Sequence, residues 1–174
     1  MLDISVAYNR YKFIGNEFLT WLWFMIDNEP ARLFASPDEN REIRIGNRLV
    51  MEKGIENIVE KITIKGDDAG LEEGILALRK GALVTEMHLQ YKENEMTWMF
   101  SLKGESLNLS SVKLPETGPM ESKEDIEAAV LDKIYLYEKA TAVVHELFSR
   151  FIRLRISPDW QKTTIPAVRK WLAA

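Results

Sequence analysis

His145 and Glu146 open the H-E-x-x-H pattern, which places two imidazoles on one helix face to hold zinc. Ser149 stands where the second histidine is required, so the pattern fails. A lone imidazole lacks the ligand count of a zinc site. His145 therefore reads as a structural or partly exposed residue. His88, the other histidine, lies in an alternating run. The chain has no cysteine, which excludes disulfides, thiolate metal sites and cysteine nucleophiles. Asp67-Asp68 with Glu72-Glu73 could hold a hard cation through carboxylate oxygens. Acids ahead of a helix also offset its dipole, and that is the simpler reading. Pro37-Asp38 followed by Glu42-x-Arg44 has the outline of the P-D…E-x-K nuclease pattern. That chemistry needs both carboxylates on one metal and a lysine aimed at the attacking water. Here Arg44 replaces the lysine and no strand separates the parts, so a turn leading into a hairpin is the simpler reading. Gly104-Glu105-Ser106 lacks the closing glycine of a nucleophile elbow. Neither a Walker A sequence nor a G-x-G-x-x-G occurs. No set of residues converges on a reaction class, so no catalytic, cofactor-binding or metal-ligating residue is assigned.

Charge supplies the other candidate. The chain has 174 residues and a net charge of -4, which argues against a uniformly basic nucleic-acid binder. The distribution is uneven. From Phe148 onward the basic residues are Arg150, Arg153, Arg155, Lys162, Arg169 and Lys170, against the single acid Asp159. Phe151, Trp160 and Trp171 are interleaved with them. Cations for phosphates and flat rings for bases are what single-strand binding uses. The plainer account is a basic helix end that offsets the dipole, with the tryptophans capping the core. A third reading is a docking helix whose broad apolar stripe pairs with a second copy or another protein.

The elements that would position these groups start with Asn16 to Asp27, N-E-F-L-T-W-L-W-F-M-I-D. Only Thr20 interrupts its apolar run. A helix apolar on all sides is a buried helix. The run falls short of the roughly 20 residues needed to span a bilayer. Asn16 is the expected N-cap, and Gly15 is expected to break a preceding strand or short helix in Met1 to Phe13. Glu42 to Ile45 and Arg48 to Met51 read as two strands joined by a Gly46-Asn47 turn, with Gly54 ending the second. Lys61 to Lys65 alternates as a third strand. Leu71, Ile75, Leu76 and Leu78 recur at helical spacing up to Gly81. Leu83 to Tyr91 and Met96 to Leu102 form a second hairpin through Lys92 to Glu95, and Leu107 to Val112 an edge strand. Leu114 to Met120 reads as a linker. Ser122 to Asp125 resembles a capping box, and nothing then breaks a helix before Ser157-Pro158. Val130, Ile134, Tyr137, Thr141, Val144, Phe148 and Phe151 form its stripe, widened by Leu136, Ala140, Val143, Leu147 and Leu154. Pro166 then opens a short last helix, Ala167 to Leu172.

The expected fold is one α+β domain over residues 1–174. A mostly antiparallel sheet of five to six strands packs on the buried Trp-rich helix and the long C-terminal helix. Residues 1–114 supply the helix and sheet, and residues 121–174 the helical part. The amino terminus shows no basic n-region followed by an apolar h-region, and with no cysteine this points to the cytoplasm.

Phe13 to Phe24, F-I-G-N-E-F-L-T-W-L-W-F, resembles a G-x-E-F-L-T-W-L-W-F signature of small bacterial proteins linked to the recombination-associated protein RdgC. Thr63 to Gly66, Ala77 to Gly81, Leu107 to Lys113 and Leu154 to Trp160 follow in the same order. The tryptophan motif is a core signature, and no catalytic residue carries over from it. RdgC-type proteins bind DNA without sequence specificity and affect recombination. The resemblance implies that context, although this chain is far shorter than RdgC and more acidic than a DNA clamp. The expected function is therefore a non-enzymatic cytoplasmic accessory protein. It would act by contact with an RdgC-like partner or by self-association through the long helix. The alternative is a sequence-nonspecific DNA-binding module using the basic C-terminal residues.

Overall fold

The Trp-rich run folds as helix α1, Phe13–Asn28. In the computed structural model, which describes residues 13–34, 40–55, 58–66, 69–118 and 121–174, its Phe18, Leu19, Leu22 and Trp23 are wholly buried. Thr20 turns its hydroxyl back onto the Asn16 carbonyl at 3.0 Å, so the one polar residue in the run is satisfied within the helix. Gly15 and Asn16 lie inside the first turns of α1, not ahead of it. Gly15 is there because of packing: a Cβ on it would stand 1.7 Å from the Gly104 carbonyl oxygen. The Gly104 N–H donates to Thr85 O at 2.9 Å, which ties that approach to the sheet. The strand or helix expected before Gly15 lies outside the described residues except for Phe13, which opens α1. A single 3-10 turn, Pro30–Arg32, follows.

The sheet is antiparallel and has five strands. They are β1 (Arg41–Ile55), β2 (Ile58–Lys65), β3 (Leu83–Glu93), β4 (Met96–Lys103) and β5 (Leu109–Lys113), in the order β2-β1-β3-β4-β5. Gly46-Asn47 is not a hairpin turn, and Gly54 ends nothing: both lie within β1. The register passes from Ile45 opposite Leu89 to Leu49 opposite Met87, so four steps of β1 span two steps of β3. This is a bulge, and glycine makes room for it: a Cβ at Gly46 would meet His88 Nδ1 at 2.2 Å. A single bent strand keeps Ile43, Leu49 and Met51 all buried on the core side. Folding back at Gly46 would have cost one half its pairing with β3. The β3–β4 turn is tighter than expected and runs through Asn94, whose φ of 54° suits asparagine. Leu107 has φ 55° and belongs to the turn, so the edge strand begins at Leu109.

Helix α2, Ala69–Arg79, packs on β1 and β2. Its Gly74 sits under the Trp23 ring, which a Cβ would meet at 2.6 Å. Gly81, φ 87°, lets Ala82 N–H reach back to the Ala77 carbonyl and stop the helix. Helix α3 spans Lys123–Arg155, 33 residues and about 50 Å. The capping box is present: Ser122 Oγ accepts from Asp125 N–H at 3.0 Å, and the Asp125 carboxylate accepts from Ser122 N–H at 2.9 Å. Hydrogen bonding of the Asp125 carboxyl to the Ser122 side chain, and then to the Ser122 backbone N–H, holds it below the usual carboxylate range. After the Ser157-Pro158 break, a π turn, Trp160–Thr164, runs directly into α4, Ile165–Ala173. The last helix thus starts one residue before Pro166.

One continuous core joins these parts. Phe18 packs edge-on to Phe148 and near Phe151, and Phe151 packs edge-on to Trp160. Trp171 of α4 packs edge-on to Trp23 and Phe24.

Candidate interaction surface on the long helix

The polar contacts that fasten helix α3 to the sheet run from Leu136 onward. Trp98 Nε1 donates to the Leu136 carbonyl at 3.0 Å. Lys139 pairs with Glu93, a buried carboxylate, and that bond is the main reason the Lys139 ammonium is held above its ordinary pKa. Arg41 pairs with Glu146 at 2.7 Å and lies over the Phe34 ring at 4.2 Å. Burial would lower the Arg41 pKa, but its bonds to Glu146 and Tyr91 more than offset this and the net shift is upward. From Leu136 onward, Ala140, Val143, Val144, Leu147 and Phe151 face the core.

Before Leu136 large apolar residues continue along the helix but are exposed. Ile126, Val130, Ile134 and Tyr137 step by four, four and three, so they share one face of the helix. All are exposed, Val130 and Ile134 by 51% each. Leu131 and Tyr135 carry the exposed apolar arc on around the helix, to the side opposite Ile126, and are exposed by 67% and 60%. Among the described residues, these six make up half of the twelve large exposed apolar side chains, all within three turns of one helix. Ala129, seven residues before Leu136 and on the same side of the helix, is buried. A shallow groove of about 450 Å³ between Leu114 and Val130, Ile134 and Tyr137 borders the face. In general, contiguous exposed apolar patches mark protein, membrane or ligand contact sites, whereas single exposed apolar side chains need no explanation.

The basic residues do not form one strip with the aromatics. Phe151 and Trp160 are buried in the core, and Trp171 packs on α1. Arg155 is committed: its Nε donates to Glu17 at 2.7 Å and its guanidinium lies 5.3 Å from the Trp160 ring centre. Arg150 reaches toward the Leu33 carbonyl at 3.5 Å. It lines a cleft of about 300 Å³ with Trp21, Glu29, Arg32 and Asp159. Arg153, Lys162, Arg169 and Lys170 remain exposed on α3, the π turn and α4.

The other chemical candidates separate. His145 is exposed on α3, while its neighbour Glu146 is taken by Arg41. His88 faces away from the core beside Gly46, and burial, with Lys113 and Arg48 nearby, pushes its imidazole below the ordinary pKa. Glu42 pairs with Arg44 at 2.6 Å on the solvent side of β1; Asp38 lies outside the described residues. Asp67 and Asp68 also lie outside them, and Glu72 and Glu73 are exposed on α2. Among the described residues no three His, Asp or Glu side chains are grouped to hold a metal ion. No helix among them is long and apolar enough to cross a membrane.

Sequence reasoning placed the stripe correctly but not its exposure. Ile126, Leu131 and Tyr135 were outside it altogether. Their signal was available: an apolar arc wider than one buried face needs. The Trp98–Leu136 and Glu93–Lys139 contacts left no local signal, because the partners lie about 40 residues apart. No family model, curated protein or solved structure matches this chain.

Proposed function

We propose that this chain is a non-enzymatic accessory protein of the cytoplasm that works by protein contact through the amino-terminal half of α3. The observation that supports the reading is the exposed face of Ile126, Val130, Leu131, Ile134, Tyr135 and Tyr137. The resemblance to RdgC-linked proteins supplies the setting, DNA recombination, and an RdgC-like protein as one partner class. A photo-crosslinking amino acid at Tyr135, introduced into the full chain in cells, is expected to trap a protein adduct. Irradiation that yields no protein adduct would sink the reading.

The exposed Arg153, Lys162, Arg169 and Lys170 support a second reading, direct binding to a DNA backbone. Fluorescence anisotropy with labelled single- and double-stranded DNA tests it. This reading expects affinity that falls steeply with salt, since each phosphate contact adds about 0.7–0.9 to the log–log slope. Changing these four residues to glutamine is then expected to flatten that slope by about three units. No binding even at low salt would remove the reading.

A further inference from the structure

We infer that the cleft beside Arg150 binds a small apolar α-amino acid, with its carboxylate on Arg150, its ammonium on Asp159 and its side chain against Trp21, Phe24 and Met25. The inference does not rest on the interaction reading. The cleft lies at the carboxyl-terminal end of α3, where that helix, α1 and the π turn each contribute to its lining.

Size is the first argument. A volume of about 300 Å³ stands at the lower end of the range for small-molecule sites. Trp21, Phe24 and Met25 of α1 and Leu154 of α3 give it apolar walls. Such sites pair apolar walls with a small number of polar groups that fix the ligand's orientation.

The polar groups here are ones the protein leaves unused. A guanidinium is a fork of N–H donors, and Arg150 spends only one of them, on the Leu33 carbonyl at 3.5 Å. Thr164 lines the cleft at 9% exposure, and among the described residues its hydroxyl has no hydrogen-bond partner. The neighbouring Thr163 hydroxyl, by contrast, donates to the Asp159 carbonyl at 2.7 Å. The indole N–H of Trp21 is also buried without a partner. Buried polar groups are nearly always bonded, so such orphans call for an explanation. Both threonines belong to the π turn, an element found mostly as a single turn within helices and frequently at functional sites.

Charge selects the ligand. Arg32 and Glu29, also in the lining, pair with each other at 2.5 Å. Arg150 and Asp159 are left, and among the described residues neither forms an ion pair, with the other or with any third group. A phosphate would set two negative charges against a single free cation, with Asp159 opposing them. A simple carboxylate would leave Asp159 unmatched. A molecule with a carboxylate and an ammonium on one carbon matches both groups, and a guanidinium holds a carboxylate through two parallel bonds. The apolar walls then disfavour a charged side chain on the ligand.

Isothermal titration of the full chain with L-leucine and with L-phenylalanine tests the inference. Saturable binding of either is expected. L-Leucinamide and N-acetyl-L-leucine each remove one of the two charges. The amide is expected to bind about ten- to hundredfold more weakly than leucine, and so is leucine to the Arg150→Gln variant, because a charge-assisted bond is lost. The N-acetyl compound, and leucine on Asp159→Asn, should lose about two- to fivefold, since Asp159 is exposed. That exposure also keeps the Asp159→Asn variant folded if Arg150→Gln is not. Absence of binding by both amino acids would overturn the inference. N-acetyl-L-leucine binding as tightly as leucine would mean a plain carboxylate site and overturn the amino-acid assignment. Full affinity in a folded Arg150→Gln variant would place the ligand elsewhere and overturn it too. The Tyr135 adduct, which tests the interaction reading, is independent of all these results.

Discussion

Gly15→Ala is expected to lower the stability of the protein by about 3 kcal/mol or more, measured as a shift in the urea midpoint. Helix propensity alone points the other way, since alanine in place of glycine inside a helix is worth about 1 kcal/mol. Packing wins here because the added methyl would sit 1.7 Å from the Gly104 carbonyl oxygen. That atom belongs to backbone, and the Gly104 N–H is held by Thr85, so it cannot step aside as a flexible side chain would. Overpacking costs about 1–3 kcal/mol where neighbours can move, and more where they cannot. Gly54→Ala is the control. Nothing lies within 4 Å of its added Cβ, so its effect should stay within about 1 kcal/mol and be stabilising if anything. A Gly15→Ala midpoint at or above that of the parent would mean that α1 does not touch the β4–β5 turn.

Trp98→Ala should cost about 3–5 kcal/mol, the usual range for removing a large aromatic from a core. Trp98 is fully buried, stacks at an angle on Tyr91 at 5.3 Å and donates its N–H to Leu136 at 3.0 Å. It is the link between the sheet and the point where α3 leaves it. Trp98→Phe keeps much of the ring volume and loses the hydrogen bond, which is worth about 1 kcal/mol net. Its cost should be the smaller of the two. With a total stability of about 5–15 kcal/mol, the alanine variant removes a large fraction of it. Hydrogen exchange on the folded Trp98→Phe protein provides the second readout. Protection around Leu136 and Ala140 should fall more than protection in α1. Equal protection in both would show that the Trp98–Leu136 bond does not fasten the helix.

Much of the fold was legible in local pattern. The apolar run of α1, the alternation in β3 and β4 and the Ser122–Asp125 capping box are all short-range signals, and each appears where its residues placed it. The misreadings have a common cause. Gly15, Gly46 and Gly54 were read as punctuation because glycine reaches conformations that other residues avoid. At Gly15 and Gly46 the structure uses the missing side chain instead, for the Gly104 backbone and for His88. A residue chosen for what it lacks looks the same in sequence whichever use is made of it.

The candidate surface divides along the same line. Sequence by itself determined that residues 123–155 form one capped helix with a continuous apolar stripe, because helical period and capping depend on neighbours three and four residues away. It determined where the basic residues cluster, and that the aromatics run among them. Only the tertiary structure decided which turns of the stripe are covered, since that depends on where the sheet ends relative to the helix. Trp98, Glu93 and Arg41, 38 to 105 residues from their partners on α3, set that limit. It decided likewise that Trp160 goes to the core and Arg155 to Glu17. Burial of an aromatic ring outweighs the gain from leaving it beside an exposed cation, and long-range packing alone determines which rings are buried.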